Sequence, residues 1–148
     1  MKPDPEAVLG HLAGLMLQTI APQAQPAYLA GTIGMAGILL ASLAQEWDRA
    51  ADRLVEENRA IRDLFRQAEA VALDGPLAGE LRALAGGEEE DLRVSTLEAA
   101  NTGLRAALIA LHAAVETQDD ATSRALNAAI WAELSASTRR RTLANAPF

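Results

Sequence analysis

Residues 26–72 read PAYLAGTIGMAGILLASLAQEWDRAADRLVEENRAIRDLFRQAEAVA, and no further proline follows before Pro76. At helical spacing, Leu29, Ile33, Leu40, Leu43, Trp47, Leu54, Ile61 and Phe65 fall within one apolar stripe about 100° wide. A stripe that keeps its phase from residue 29 to residue 65 predicts one continuous helix over about residues 26–72. Asp74-Gly75-Pro76 supplies the stop. Plausible opposite-charge neighbours line the charged half, Arg53 with Glu56 and Glu57 and Arg59 with Asp63.

The segments on either side are helical as well. Upstream, Asp4 is a candidate N-cap and Pro5 a permitted first residue for a helix that ends near Thr19, before Pro22. Downstream, a short helix is expected over Leu77–Ala85, stopped by Gly86-Gly87. Gly86-Gly87-Glu88-Glu89-Glu90-Asp91 reads as part of an exposed acidic linker over about residues 86–93. Ser95-Thr96-Leu97-Glu98 has the form of a capping box. It opens a helix whose Leu97, Asn101, Leu104, Leu108, Leu111 and Val115 alternate steps of four and three, the spacing of a bundle seam. Asp120 is placed to cap a last helix over about Ala121–Thr142, with Leu126, Ile130, Trp131 and Leu134 as its apolar residues. Arg139-Arg140-Arg141 lie where cations favour the C-terminal dipole.

Composition agrees with this reading. The 148 residues include 33 Ala and 22 Leu against 5 Val, 6 Ile, 2 Phe, 1 Tyr and 2 Trp. Strong helix formers dominate and strand formers are scarce, which excludes a sandwich, a barrel or an α/β sheet. The expected fold is all-α: one domain over residues 1–148, an antiparallel helical bundle on the long central helix, with an N-terminal helix and a C-terminal helical hairpin. Lysine occurs once against twelve arginines, which together with the alanine load is the pattern of GC-rich bacterial coding.

Charge is distributed unevenly. From Ala7 to Gln45 there is no Asp, Glu, Lys or Arg, whereas residues 46–72 carry seven acids and five arginines. A helix of 47 residues is about 70 Å long, and a compact domain of this length is roughly 40 Å across. The N-terminal and C-terminal helices are therefore too short to cover the central helix, whose Ala27–Ala44 segment is apolar on both faces. One face carries Leu29, Ile33, Leu40 and Leu43. The other carries Ala27, Gly31, Gly34, Ile38 and Ala41, a line of small residues that admits a close neighbour. The expected cover is a second copy of the chain, giving a homodimer through residues 7–45. Membrane insertion is the competing cover. The uninterrupted run into a charged amphipathic helix, the alanine content and the lack of Lys or Arg near Pro26 rank it second. Met1–Glu6 holds one lysine against two acids, so no signal peptide is expected, and the chain is read as cytoplasmic.

Chemistry-bearing residues are few. Without cysteine there is no disulfide, thiolate nucleophile or thiolate-held metal. A net charge of −7 argues against nucleic acid. No phosphate-binding or zinc-protease motif is present, and no cofactor is implied. His112 and Glu116 stand one turn apart and are the candidate metal pair, although no Glu-x-x-His of a di-iron bundle occurs. His11, Trp47 and Asn101 are the candidate polar and aromatic lining of an apolar-ligand site. Asn101 also has a structural reading, since a seam Asn fixes register. The function expected is that of a non-enzymatic homodimeric interaction or accessory protein with a protein partner. The alternatives are an apolar-ligand-binding bundle and a simple metal protein or enzyme using His112 and Glu116.

Overall fold

A computed structural model describes residues 3–73 and 75–144. Among them the secondary structure is helical throughout, with no strand. α1 (Pro5–Gly14) continues as a π turn (Leu15–Ile20) and a 3₁₀ turn (Ala21–Gln23). α2 (Ala27–Gln67) ends in a 3₁₀ turn (Ala68–Ala70). α3 (Pro76–Ala85), α4 (Val94–Glu116) and α5 (Ala121–Arg141) follow. The protein is an all-α helical bundle with one long helix, as its composition requires. The long helix is interrupted sooner than its stripe predicts, at Gln67. The turn that follows uses Gly75 with φ +74, a conformation that favours glycine. Asp74, part of the expected stop, lies outside the described residues.

Local signals set most of the ends. Asp4 Oδ1 accepts the N–H groups of Glu6 and Ala7 at 3.1 and 3.4 Å, so Pro5 opens α1 as expected. Asp120 Oδ1 does the same for Thr122 and Ser123 at 2.9 and 3.0 Å. The capping box at Ser95 does not form. α4 begins one residue earlier, at Val94, and Asp91 organises its start. The Asp91 carboxylate accepts the Arg93 N–H at 2.9 Å and the Thr96 hydroxyl at 3.1 Å.

The chain divides into two compact units, one made of residues up to Ala50 with those from Thr142 onward, the other of Ala51–Arg141. In the second unit, the α4 seam is buried as its spacing predicts: Leu97, Asn101, Leu104, Leu108, Leu111 and Val115 all face inward. Of these, Leu104, Leu108, Leu111 and Val115 pack with Ile61, Leu64 and Phe65 from α2, Leu81 and Ala85 from α3, and Leu126 and Ile130 from α5. Trp131 departs from its expected core position. It is 55% exposed and lies edge-on to His112.

The first unit is a hairpin of α1 with the N-terminal part of α2. The helices cross closely at Gly37, where a Cβ would stand 2.7 Å from Leu17 Cγ. Here the α2 stripe loses its cover. Leu54, Ile61 and Phe65 of the second unit are buried, while Leu29, Leu43 and Trp47 are exposed. α1 is a single helix and covers only one side of its neighbour.

Truncating the centre of the second unit will test this core. Leu111 is 0% exposed, and Leu111→Ala should cost about 2–5 kcal/mol by urea denaturation monitored by circular dichroism. A loss below about 0.5 kcal/mol would contradict its central place.

Candidate functional site

The polar interior of the second unit is built on two consecutive α2 residues. Glu57 and Asn58 are 1% and 0% exposed. Each lies three or four residues from Leu54 and Ile61, on the same helical stripe, and so both turn into the bundle. Glu57 gathers its partners from α4 and α5. Arg141 reaches both of its oxygens at 2.8 Å, Arg105 donates to Oε1 at 2.5 Å, and the Ser137 hydroxyl donates to Oε1 at 2.9 Å. Arg53, one turn earlier, approaches Oε2 at 3.9 Å. Burial alone raises the carboxyl pKa. The bonds from Arg141, Ser137 and Arg105 and the charge of Arg141 outweigh it and hold the group below the ordinary glutamate value. An ionised carboxylate with its lone pairs occupied this way is a poor general base. Its role is to tie three helices together.

Beside it, Asn101 donates to Asn58 Oδ1 at 2.9 Å, and Asn58 donates to the Leu97 carbonyl at 3.3 Å. The seam asparagine thus meets a second asparagine across the α2–α4 contact. Further along α2, Arg62 pairs with Glu89, and both side chains are nine-tenths buried. Arg66 donates to the Ala85 carbonyl at 2.7 Å and pairs with Asp63. Asp63 is therefore held by Arg66, one turn ahead, where Arg59 was the expected partner. The linker is not uniformly exposed either: Glu88 and Glu90 face water, and Glu89 turns inward. A cleft of about 560 Å³ lies along Arg59, Arg62, Arg66 and the Gly86–Glu89 loop, polar in its lining.

The sequence-nominated residues fall as follows. His112 Nε2 stands 2.9 Å from Asn127 Oδ1 and 3.4 Å from Glu116 Oε1, with the Trp131 ring centroid 5.2 Å away. The histidine is mostly buried, Glu116 is half exposed, and among the described residues no group of three His, Cys, Asp or Glu side chains is placed to hold a metal. A pair with its nitrogen turned to an asparagine fits a hydrogen-bonded boundary histidine. The neighbouring groove, lined by Leu108, Ile109, Ile130 and Leu134, encloses about 70 Å³. That is small against the roughly 300–1,000 Å³ of ligand pockets. Asn101 is buried and engaged with Asn58 as described. In the first unit, His11 is exposed on α1 and Trp47 is 63% exposed on α2. Ala27 and Gly31 are exposed, and Gly34, Ile38 and Ala41 half-buried. A Cβ added at Gly31 or Gly34 would meet nothing within 4 Å, so that line of α2 is open.

Glu133 is a second half-buried carboxylate, paired with Arg140. Its pKa is raised, chiefly by burial and then by the negative charges of Glu57 and Glu56, against the opposing charge of Arg140. The two glutamates give stability opposite pH slopes. The contribution of Glu57 is complete above the ordinary value of 4.5 and is lost as pH falls through its lower folded value. Glu133 costs stability while ionised, and that cost is relieved as pH falls from its raised folded value towards 4.5.

Two outcomes follow. Glu57→Gln should lose about 3–5 kcal/mol at neutral pH, because Arg141 and Arg105 are left facing a neutral amide. Its stability should also fall less steeply than that of the native chain below pH 4.5 in urea titrations. Asn58→Leu and Asn101→Leu should each cost about 1–3 kcal/mol, and the double variant clearly less than their sum. Strict additivity in that cycle would show that the amides do not act as a pair. No family model, curated protein or solved structure matches the chain.

Proposed function

We propose that this chain is a non-enzymatic interaction protein. In this reading the hairpin over residues 7–45 is its attachment element, and the Ala51–Arg141 unit is the part presented to a partner. The observation that carries it is the bareness of the hairpin. Of residues 27–44, only Gly37 and Ala44 are buried. Val8 and Leu12 on α1, Leu15, Leu17 and Ile20 on the π turn after it, and Tyr28, Leu29, Met35, Leu39, Leu43 and Trp47 on α2 are exposed. An apolar surface this continuous marks a site of association. The second unit, by contrast, has a buried apolar core with ion pairs along α2, and its exposed large apolar side chains, Leu92, Val94, Ile109 and Trp131, are fewer.

Association also takes place between copies of the chain. Ala27, Gly31, Gly34, Ile38 and Ala41 form one line on α2, and the space beside Gly31 and Gly34 is free. A second α2 related by a two-fold axis fits there, backbone close to backbone. The large apolar side chains occupy a different arc of the same helix and remain for another cover.

The absence of cysteine makes the test direct. Full-length Gly34→Cys should form a disulfide-linked dimer under mild oxidation, and Leu39→Cys, on the other arc, should form several-fold less. Equal cross-linking at both positions, or none at Gly34, would overturn the proposed pairing.

A further inference from the structure

The arc of large side chains on α2 selects its own cover. At 100° per residue, Tyr28, Leu29, Met35, Leu39, Leu43 and Trp47 lie within about 120° of the helix circumference, away from the Gly31–Gly34 line. From Tyr28 to Trp47 the helix rises about 28 Å, close to the roughly 30 Å of bilayer hydrocarbon. Those two residues are the chain's one tyrosine and one of its two tryptophans, and both are exposed. Aromatic side chains at the two ends of an apolar span mark its two interfaces with water. The first charges at the outer end of each leg are Glu6 in the first turn of α1 and Glu46 within α2, while the connecting Ala24-Gln25-Pro26 carries none. A charge-free tip with charges at both open ends is the distribution that lets a hairpin enter a bilayer from one side.

Two hydroxyls of α2 and the turns that end the first leg are bonded within their own segments. α1 passes into π and 3₁₀ turns without losing its hydrogen bonding: the Ala21 N–H donates to Met16 and the Ala24 N–H to Ala21. Thr32 and Ser42 return their hydroxyls to the carbonyls of Tyr28 and Ile38, four residues back, at 3.0 and 3.1 Å. Groups satisfied within their own helix suit a solvent that offers no partner. A protein-core helix of this apolarity would be mostly covered by its own chain, and this one is not.

We propose that residues 7–45 cross a lipid bilayer as a helical hairpin, with both of its ends on one side and the Gln23–Pro26 tip at the far interface. The proposal rests on the reading of the hairpin as an attachment element and names what it attaches to. Arg49 and Arg53, directly after the span, place the open end and the Ala51–Arg141 unit on the cytoplasmic face. Bilayer insertion, second on sequence alone, moves ahead because the α2 segment is left bare by its own fold.

Full-length protein mixed with phosphatidylethanolamine–phosphatidylglycerol vesicles tests this by flotation, and membranes of expressing cells test it by alkaline carbonate extraction. The native chain should float and resist extraction. Met35→Arg with Leu39→Arg should reduce flotation at least about tenfold while keeping its helical circular dichroism. Met35→Ala with Leu39→Ala should still float. In spheroplasts, an impermeant maleimide should label Gln23→Cys from outside and label Glu98→Cys only after lysis. A native chain that stays in solution as a dimer would overturn the bilayer and leave the attachment reading standing. A soluble monomer would overturn both. Gln23→Cys shielded until lysis would overturn a span that crosses the bilayer.

Discussion

The buried charge of Glu57 is the constraint on which the second unit depends. A carboxylate at 1% exposure is tolerable only when cations and donors replace its lost water. Those donors come from two other helices, Arg105 on α4 and Ser137 and Arg141 on α5. Apolar seams alone permit neighbouring helices to slide by a turn at modest cost, because one leucine fits much like the next. A buried carboxylate held by Arg141 Nη2 across both oxygens and by Arg105 and Ser137 does not permit it. The Asn58–Asn101 bond, one residue along α2, sets the α2–α4 register independently of the ion cluster. Together they single out one arrangement in a core otherwise made of leucine, isoleucine and alanine.

The same physics explains why α2 has two characters. After Ala50 its stripe is buried at Leu54, and Ile61 and Phe65 pack with residues of α3, α4 and α5. Before Ala50 the hairpin offers one neighbour, and contact is close only where Gly37 lets Leu17 approach. Several solvent-facing positions in the later part are charged, and Arg66 pairs with Asp63 there. In the earlier part Gly34, Ile38 and Ala41 stand at that helical phase, while Leu43, at the phase of the buried Ile61, is exposed, as is Leu39. One helix thus follows the rule for a water-soluble bundle over part of its length and leaves it over the rest.

The sequence made the helices legible because alanine, leucine, proline and the Asp4 and Asp120 caps act locally. The α4 seam was legible for the same reason, since spacing alone identifies Leu97 through Val115. Glu57 was harder to read. Its phase with Leu54 and Ile61 was available, but a glutamate near Arg53 also fits a solvated face, and its partners Arg105 and Arg141 lie 48 and 84 residues away. Arg141 in turn fits a helix dipole as well as it fits a buried anion. Glu89 was hidden among four adjacent acids for a similar reason. Which of them meets Arg62 depends on the path of the loop, and no pattern within the loop encodes that path. The Ser95 capping box failed because Asp91 organises the same helix start from four residues upstream.

The charge border and the structural border of the chain nearly coincide. The first charge after Ala7 is Glu46, and the compact units divide at Ala50. In the proposed span this coincidence has a physical reason: side chains that leave an apolar medium meet water at once, so the acids and arginines start where the water starts. Trp47, whose ring is mostly apolar with one N–H donor, stands at that transition with its side chain exposed. The helix continues through the border with no glycine or proline between Gly37 and Gly75. In the proposed span the chain would leave the apolar medium already helical, and the Glu57 cluster begins ten residues, nearly three turns, beyond Trp47.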